Sequence, residues 1–289
     1  MAKIDNGVKN NCVLIGLPKS GKSTFIAALW HIVESEEIDN SLKIVSLPED
    51  REYLSNLRKS WLCCTPIERT LVDFKHKITL NIFDKNDKIT EFIFPDVSGE
   101  MYNNQFEHRK IDTEYFNLIK SADGIILFIN PYELKEPISI TEGNSLLPEE
   151  SVPSVENIAK PWEYKDAPTQ VVLVDLLQMI KSNINKQIRL AVILSAWDIL
   201  LNSYDQDLRK ISPHEWIEKK CPLLHQFLIT NNTSFKFKFF GVSAQGGSYA
   251  SDIPKLQGHA NPSDRIVVLF DGEKSNDLSI PIKWLLNDE

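Results

Sequence analysis

The chain has 289 residues, 42% of them hydrophobic and 25% charged, a globular composition that excludes disordered, collagen-like and disulfide-scaffold classes. With 32 Lys+Arg against 40 Asp+Glu the net charge is −8, which argues against a dedicated binder of nucleic acid or of an anionic membrane. Cys12, Cys63, Cys64 and Cys221 show no Cys-x-x-Cys spacing and read as reduced thiols.

No apolar segment precedes a cleavage site near the start, and no apolar run approaches a membrane span, so a soluble, cytoplasmic chain is expected. Cys12-Val13-Leu14-Ile15 reads as a short buried strand ending on Gly16, and Phe25, Ile26, Leu29, Trp30 and Val33 then recur at helical spacing. A second helix is expected from Pro48, with Tyr53, Leu54, Leu57 and Trp61 as its apolar stripe. Leu71 to Phe83 and Ile89 to Phe94 read as an antiparallel hairpin joined by Asp84-Lys85-Asn86-Asp87. Glu100-Met101-Tyr102-Asn103-Asn104 lacks a strong helical stripe and reads as a loop that is easily reordered.

Ile125 to Ile129 is an apolar strand that halts at Asn130-Pro131, and residues 131–168, rich in Pro and Glu, read as a surface insertion. Val171 to Ile184 follows as a helix and Leu190 to Leu194 as a buried strand. Ser212-Pro213-His214-Glu215 is a capping box with Pro at its first helical position, and Pro222 bends or ends that helix. Phe235, Phe237 and Phe239 alternate with Lys236 and Lys238 in a strand up to Gly241. One-sided burial explains this stripe better than a base-stacking platform does. A strand from Arg265 to Phe270, a turn at Asp271-Gly272 and a short helix from Pro281 close the chain. Strands alternating with helices call for a mainly parallel sheet between helices, here as one domain over residues 1–289.

Gly16-Leu17-Pro18-Lys19-Ser20-Gly21-Lys22-Ser23 matches the phosphate-binding pattern Gly-x-x-x-x-Gly-Lys-Ser/Thr at every fixed position, between an apolar strand and an amphipathic helix. Gly16 and Gly21 let the backbone curl, so that N–H groups of a loop including Lys19 and Ser20 surround an anion at a helix N-terminus. Lys22 reaches the β/γ oxygens, the Ser23 hydroxyl is placed for Mg²⁺, and Thr24 completes the nucleotide-contacting set.

With three further motifs in order, the chain resembles the TRAFAC class of P-loop GTPases, which includes the Ras-like proteins. Asp96-Val97-Ser98-Gly99 is similar to the Asp-x-x-Gly that ends the class's third strand. The resemblance implies that Asp96 holds the Mg²⁺ water shell and that the Gly99 N–H meets the γ-phosphate. Ser195-Ala196-Trp197-Asp198 stands where the class has Asn/Thr-Lys-x-Asp. Asp198 would read guanine N1–H and the N2 amino group, while Ala196 lacks the lysine stem that stacks on the base, a role open to Trp197. Ser243-Ala244 is similar to the loop whose N–H meets guanine O6. A metal-sensing threonine is expected before the second strand, with Thr65 the best match and Thr70 the alternative.

The implied fold is a three-layer α/β/α P-loop domain with a six-stranded sheet of order 2-3-1-4-5-6 and one antiparallel edge strand. The implied ligands are Mg²⁺ and GTP or GDP. The long segment before Thr65, the missing lysine, Glu100 after Gly99 and the terminal Asp277 to Leu286 look like the bacterial double-GTPase group, found in conflict or defence cassettes beside GAP-like partners.

Lys22, Gly99 and Glu100 are the expected catalytic groups. Ras-like enzymes carry glutamine at the Glu100 position, and a carboxylate there accepts from water but adds charge near an anion. Alternatively, Glu100 begins the next helix, where acidic residues are favourable. Slow hydrolysis is therefore expected, helped by a protein effector or GAP-like partner. Arg58, Arg69 and Arg109 are candidate internal fingers that spacing does not separate. A catalytically inactive GTP-binding scaffold and a P-loop ATPase are the rival readings; Asp198 opposes the second.

Overall fold

The computed structural model describes residues 10–39, 42–44, 48, 50–67, 77–83, 89–95, 99–137 and 166–286. Among them nine strands form one sheet in the order β2-β3-β4-β1-β5-β6-β7-β8-β9. These are β1 Asn10–Gly16, β2 Lys43–Ile44, β3 Lys77–Phe83, β4 Ile89–Pro95, β5 Gly124–Ile129, β6 Ile188–Leu194, β7 Phe235–Ser243, β8 Val267–Phe270 and β9 Glu273–Ser275. The expected six-stranded order is present as β3-β4-β1-β5-β6-β7, with β4, β1, β5, β6 and β7 mutually parallel. The expected hairpin pairs Lys77 with Pro95 and Phe83 with Ile89; its turn lies outside the described residues. Antiparallel β2 extends one edge and the β8-β9 hairpin the other. At two and three residues, β2 and β9 are too short to show a period-2 signal.

Alternation along the central strands divides the core into two layers. Cys12, Leu14, Ile126, Phe128, Ala191 and Ile193 face one cluster, with α1 (Lys22–Ser35), α2 (Arg51–Leu62) and a C-terminal helix, Ile280–Leu286. Val13, Ile15, Ile125, Leu127, Leu190 and Val192 face the other, under α4 (Thr113–Ser121), α5 (Thr169–Asn183) and the helices Pro213–Lys220 and Pro222–Thr230. The central strands, buried on both faces, read as continuous apolar runs for this reason. The Ser212 capping box forms as expected, and Pro222 starts a new helix at Cys221.

Pro48 precedes α2 by three residues rather than opening it. A larger departure is α3, Gly99–His108, where the sequence suggested a loop. Its buried positions Met101 and Gln105 are one turn apart, and a glutamine in the stripe hides the periodicity. The neck of the insertion is closed by Thr169 N–H donating to Lys135 O (2.9 Å) and Lys135 N–H donating to Thr169 Oγ1 (2.8 Å). Residues 138–165 lie outside the described residues.

The alternating Phe235 and Phe239 are buried and Phe237 packs against the same cluster, while Lys238 on the opposite face pairs with Asp271. α2 is fastened to α1 through Arg58, which donates to Glu34 (2.6 Å) and to His31 Nδ1 (3.1 Å). The thiols of Cys12 and Cys221 are each pushed up to about 12, chiefly by burial, which makes them inert packing groups.

Candidate functional site

The C-terminal ends of β1, β5, β6 and β7 converge on a cleft of about 330 Å³ lined by residues from the loops that follow them. Lys19, Gly21 and Thr24 line it on the phosphate-loop side, and Asp198, Ser243 and Ala244 on the other. Its place at the C-terminal strand edge is where open α/β sheets hold ligands.

Between β1 and α1 the backbone takes left-handed conformations at Lys19 (φ 61°) and Gly21 (φ 91°). Gly21 is also pressed against β6's end, since an added Cβ would lie 2.9 Å from Ser195 Cβ. Only glycine meets both demands. Ser20 is buried, and Lys22 folds back over the loop, donating from Nζ to Gly16 O (2.6 Å), Leu17 O (3.0 Å) and Ser20 Oγ (3.3 Å). Ser23 occupies the second position of α1. A helix N-terminus fronted by a curled loop and an ammonium group is chemically matched to a polyphosphate.

Asp198 sits in the first turn of the short helix α6, Trp197–Leu201, labelled after α5 in chain order, and is 8% exposed. Its Oδ1 accepts from Ser243 Oγ at 2.5 Å, and that hydroxyl oxygen accepts from Gly246 N–H at 2.9 Å. Burial raises the Asp198 pKa above the ordinary carboxylate value, only partly offset by the Ser243 hydroxyl. A carboxylate held in this way is poorly solvated and gains from a ligand that brings two N–H donors. Ala244 is anchored from the far side, its carbonyl accepting from Trp61 Nε1 at 2.8 Å.

Trp197 does not take the lysine's place at the cleft. Its ring is fully buried, and an added Cβ on Gly241 would lie 2.6 Å from the indole carbons. The indole is part of the core that supports Asp198, because it points under β7 while its neighbour points into the cleft. Gly241→Ala should therefore displace the indole and destabilise the protein by about 1–3 kcal/mol. Chemical denaturation would read this as a lower midpoint at constant slope, and an unchanged midpoint would mean that the indole is not locked.

Thr65 follows the C-terminus of α2, with its hydroxyl donating to Ser60 O at 3.2 Å. It is exposed and is not among the residues lining the cleft. Thr70 and Asp96 lie outside the described residues. Gly99 and Glu100 open α3, in agreement with the reading of Glu100 as a helix-starting acid. Two arginines are engaged elsewhere: Arg58 on Glu34, and Arg109 on Asp175 and over the Phe106 ring. Arg69 lies outside the described residues.

Asn130, Gln245, Gly247 and Ser248, which no sequence motif marks, also line the cleft. Asn130 Nδ2 donates to Lys19 O at 3.1 Å and so ties the end of β5 to the phosphate loop. Its signal was a polar residue stopping an apolar strand before proline; the other three lie in a loop with no pattern of its own.

Among solved structures, the chain is similar to that of Sup35 complexed with GDP, at 12% identity and a TM-score of 0.34, over 83% of this chain and 38% of that one. It is similar also to the S. cerevisiae Ski7 GTPase-like domain bound to GDP and inorganic phosphate, at 16% identity and a TM-score of 0.40, over 89% of this chain and 47% of that one. The chain thus spans less than half the length of either. No protein of curated function matches the sequence. The family described as Double-GTPase 1 matches residues 13–285, the phosphate loop and the Asp198 region included. With nearly its whole length so matched, the chain belongs to the Double-GTPase 1 family of P-loop GTPases.

Proposed function

We propose that the protein binds GTP and GDP with Mg²⁺, hydrolyses GTP slowly and acts as a nucleotide-controlled switch. The observation that carries this reading is the buried Asp198–Ser243 pair on the opposite side of the cleft from the Lys22 loop. An ionised Asp198 accepts from the guanine N1–H and N2 amino group, and adenine offers no such pair of donors. The residues present fit the ligand: Gly16, Lys19, Ser20, Gly21, Lys22 and Thr24 on the phosphates, and Ser243 and Ala244 beside Asp198 at the base.

Ser23 and Asp96 would hold Mg²⁺, with Thr65 or Thr70 sensing it; the ion would neutralise charge on the phosphates. Gly99 and Glu100 would meet the γ-phosphate and the attacking water. Without a partner, turnover on the order of 10⁻⁴–10⁻² s⁻¹ fits a carboxylate at the water-orienting position. The family resemblance supports a GAP-like or effector protein partner and a role in bacterial defence in the cytoplasm. Among the described residues no helix is long and apolar enough to cross a membrane.

Two measurements test the proposal. Nucleotide released from the purified protein by denaturation should be GDP or GTP, and adenine nucleotides there would overturn the guanine assignment. Hydrogen exchange should slow around Thr65 to Thr70 and Gly99 to Lys110 with a non-hydrolysable GTP analogue relative to GDP, while Phe235 to Phe240 stays unchanged. A ligand shifts such segments only through contacts that differ between states, so identical exchange with both nucleotides would favour an inactive scaffold.

A further inference from the structure

A purine in this cleft needs more than an edge reader. Its ring faces are apolar, and a bound base with a bare face leaves that area in water. Asp198 and Ser243 address the edge. Beside them Ala196 offers only a methyl group, Ile199 lines the cleft with an aliphatic side chain but no ring, and the adjacent Trp197 indole is locked beneath Gly241. The aromatic rings that line the cleft, Phe25 and Phe128, are each 1% exposed and pack edge to face at 5.2 Å. They form its floor and have no free face to offer.

Among the described residues, an exposed ring follows closely on a lining residue without itself lining the cleft. Tyr132 is 55% exposed and lies two residues past Asn130, a lining residue. The turn that carries it is fixed to the phosphate loop at two points. Asn130 Oδ1 accepts from the Tyr132 N–H at 3.0 Å while its Nδ2 donates to Lys19 O at 3.1 Å. Glu133 pairs with Lys19 at 3.6 Å, and its N–H donates to Asn130 O at 3.2 Å. From the other side, partial burial and the nearby Asp198 charge both raise the Tyr132 phenol pKa. The residue therefore sits on an ordered turn bound to the loop matched to phosphate, with its phenol near enough to the Asp198 carboxylate to feel its charge. Placing its ring on a ligand costs only side-chain freedom, about two torsions.

We propose that Tyr132 is the base-stacking residue of this cleft, its ring covering the face of guanine that Ala196 leaves bare. The assignment rests on the guanine-nucleotide reading above and adds to it a residue that contributes affinity without selectivity. Stacking uses the π-face, which every purine has, and is indifferent to the groups on the edge. Asp198 does the reverse. The two contributions are therefore separable by experiment.

The test is calorimetric titration of the full chain, stripped of nucleotide, with GDP and with IDP, which lacks the N2 amino group. Wild type should prefer GDP. Tyr132→Ala should weaken both ligands by a common factor on the order of 10, leaving the GDP/IDP ratio unchanged, and Tyr132→Phe should stay within about twofold of wild type because the ring is retained. Asp198→Ala should instead collapse the ratio. Thermal melting of the empty Tyr132→Ala protein should match wild type, as the ring is exposed.

Wild-type affinity in Tyr132→Ala, with the GDP preference intact, would overturn the stacking role and leave the guanine reading standing. A Tyr132→Ala protein that loses the GDP/IDP ratio would show that Tyr132 acts through Asp198, which also overturns it. Absence of any GDP preference in wild type would remove the guanine reading and this assignment with it.

Discussion

Lys22→Ala should lower the affinity for GTP and GDP by about 10²–10⁴-fold, the loss of two charge-assisted hydrogen bonds of about 1.5–3 kcal/mol each. The loop itself shows the geometry behind this expectation. The Lys22 ammonium is satisfied by Gly16 O, Leu17 O and Ser20 Oγ, oxygens of the loop on which an anion would rest. Exchanging a neutral carbonyl for a phosphate oxygen then needs little side-chain movement. The other cation of the loop, Lys19, is 56% exposed and pairs with Glu133 at 3.6 Å, so it is not placed to substitute. Lys19→Ala should accordingly change affinity less than about threefold, as an exposed pair contributes little. Unchanged GTP affinity in Lys22→Ala, measured by calorimetry, would mean that this loop is not the site.

Asp198→Asn should exchange guanine for xanthine preference, because the amide can donate to the carbonyl that xanthine carries where guanine has an amino group. Losing two charge-assisted bonds to guanine corresponds to about 10²–10⁴ in affinity. The same residue sets a pH dependence. Burial raises its pKa in the folded protein, so folding shifts its balance toward the neutral acid relative to the unfolded chain. That contribution is fully present at pH below the unfolded value and is lost as pH rises through the raised folded value. Guanine requires the carboxylate, so wild-type GDP affinity should fall as pH falls through a value above the usual carboxylate range. Asp198→Asn should flatten this profile, and its empty form should melt no lower than wild type at neutral pH. Retained GDP preference in the variant, or a flat wild-type profile, would remove Asp198 from the base.

Much of this site is visible in the linear chain because its chemistry is local. The phosphate loop works through backbone torsions of consecutive residues, so glycines at 16 and 21 followed by Lys22 and Ser23 carry nearly all the required information. The central strands are also legible, since each is buried on both faces and reads as an apolar run between helical patterns, while their order is what the family resemblance implies. The weaker parts fail for identifiable reasons. Glu100 to Asn104 looks like a loop because the helix there buries Gln105 in place of an apolar residue. β2 and β9 have too few residues to be periodic.

The base side of the cleft is different in kind. That residue 198 is a carboxylate can be read from the chain; that it is buried and held by Ser243, 45 residues later, depends on β6 and β7 lying side by side. From the linear chain, the stacking role that Ala196 cannot fill is open to Trp197. The contact between its indole and Gly241 turns it into core, and neither residue carries a sign of the other. Tyr132 and Asn130 gain their meaning in the same way, through Lys19, which lies 111 residues from Asn130. Backbone curvature and strand burial are written in neighbouring residues, whereas the direction of a side chain at a strand end is set by whatever packs against it from another strand.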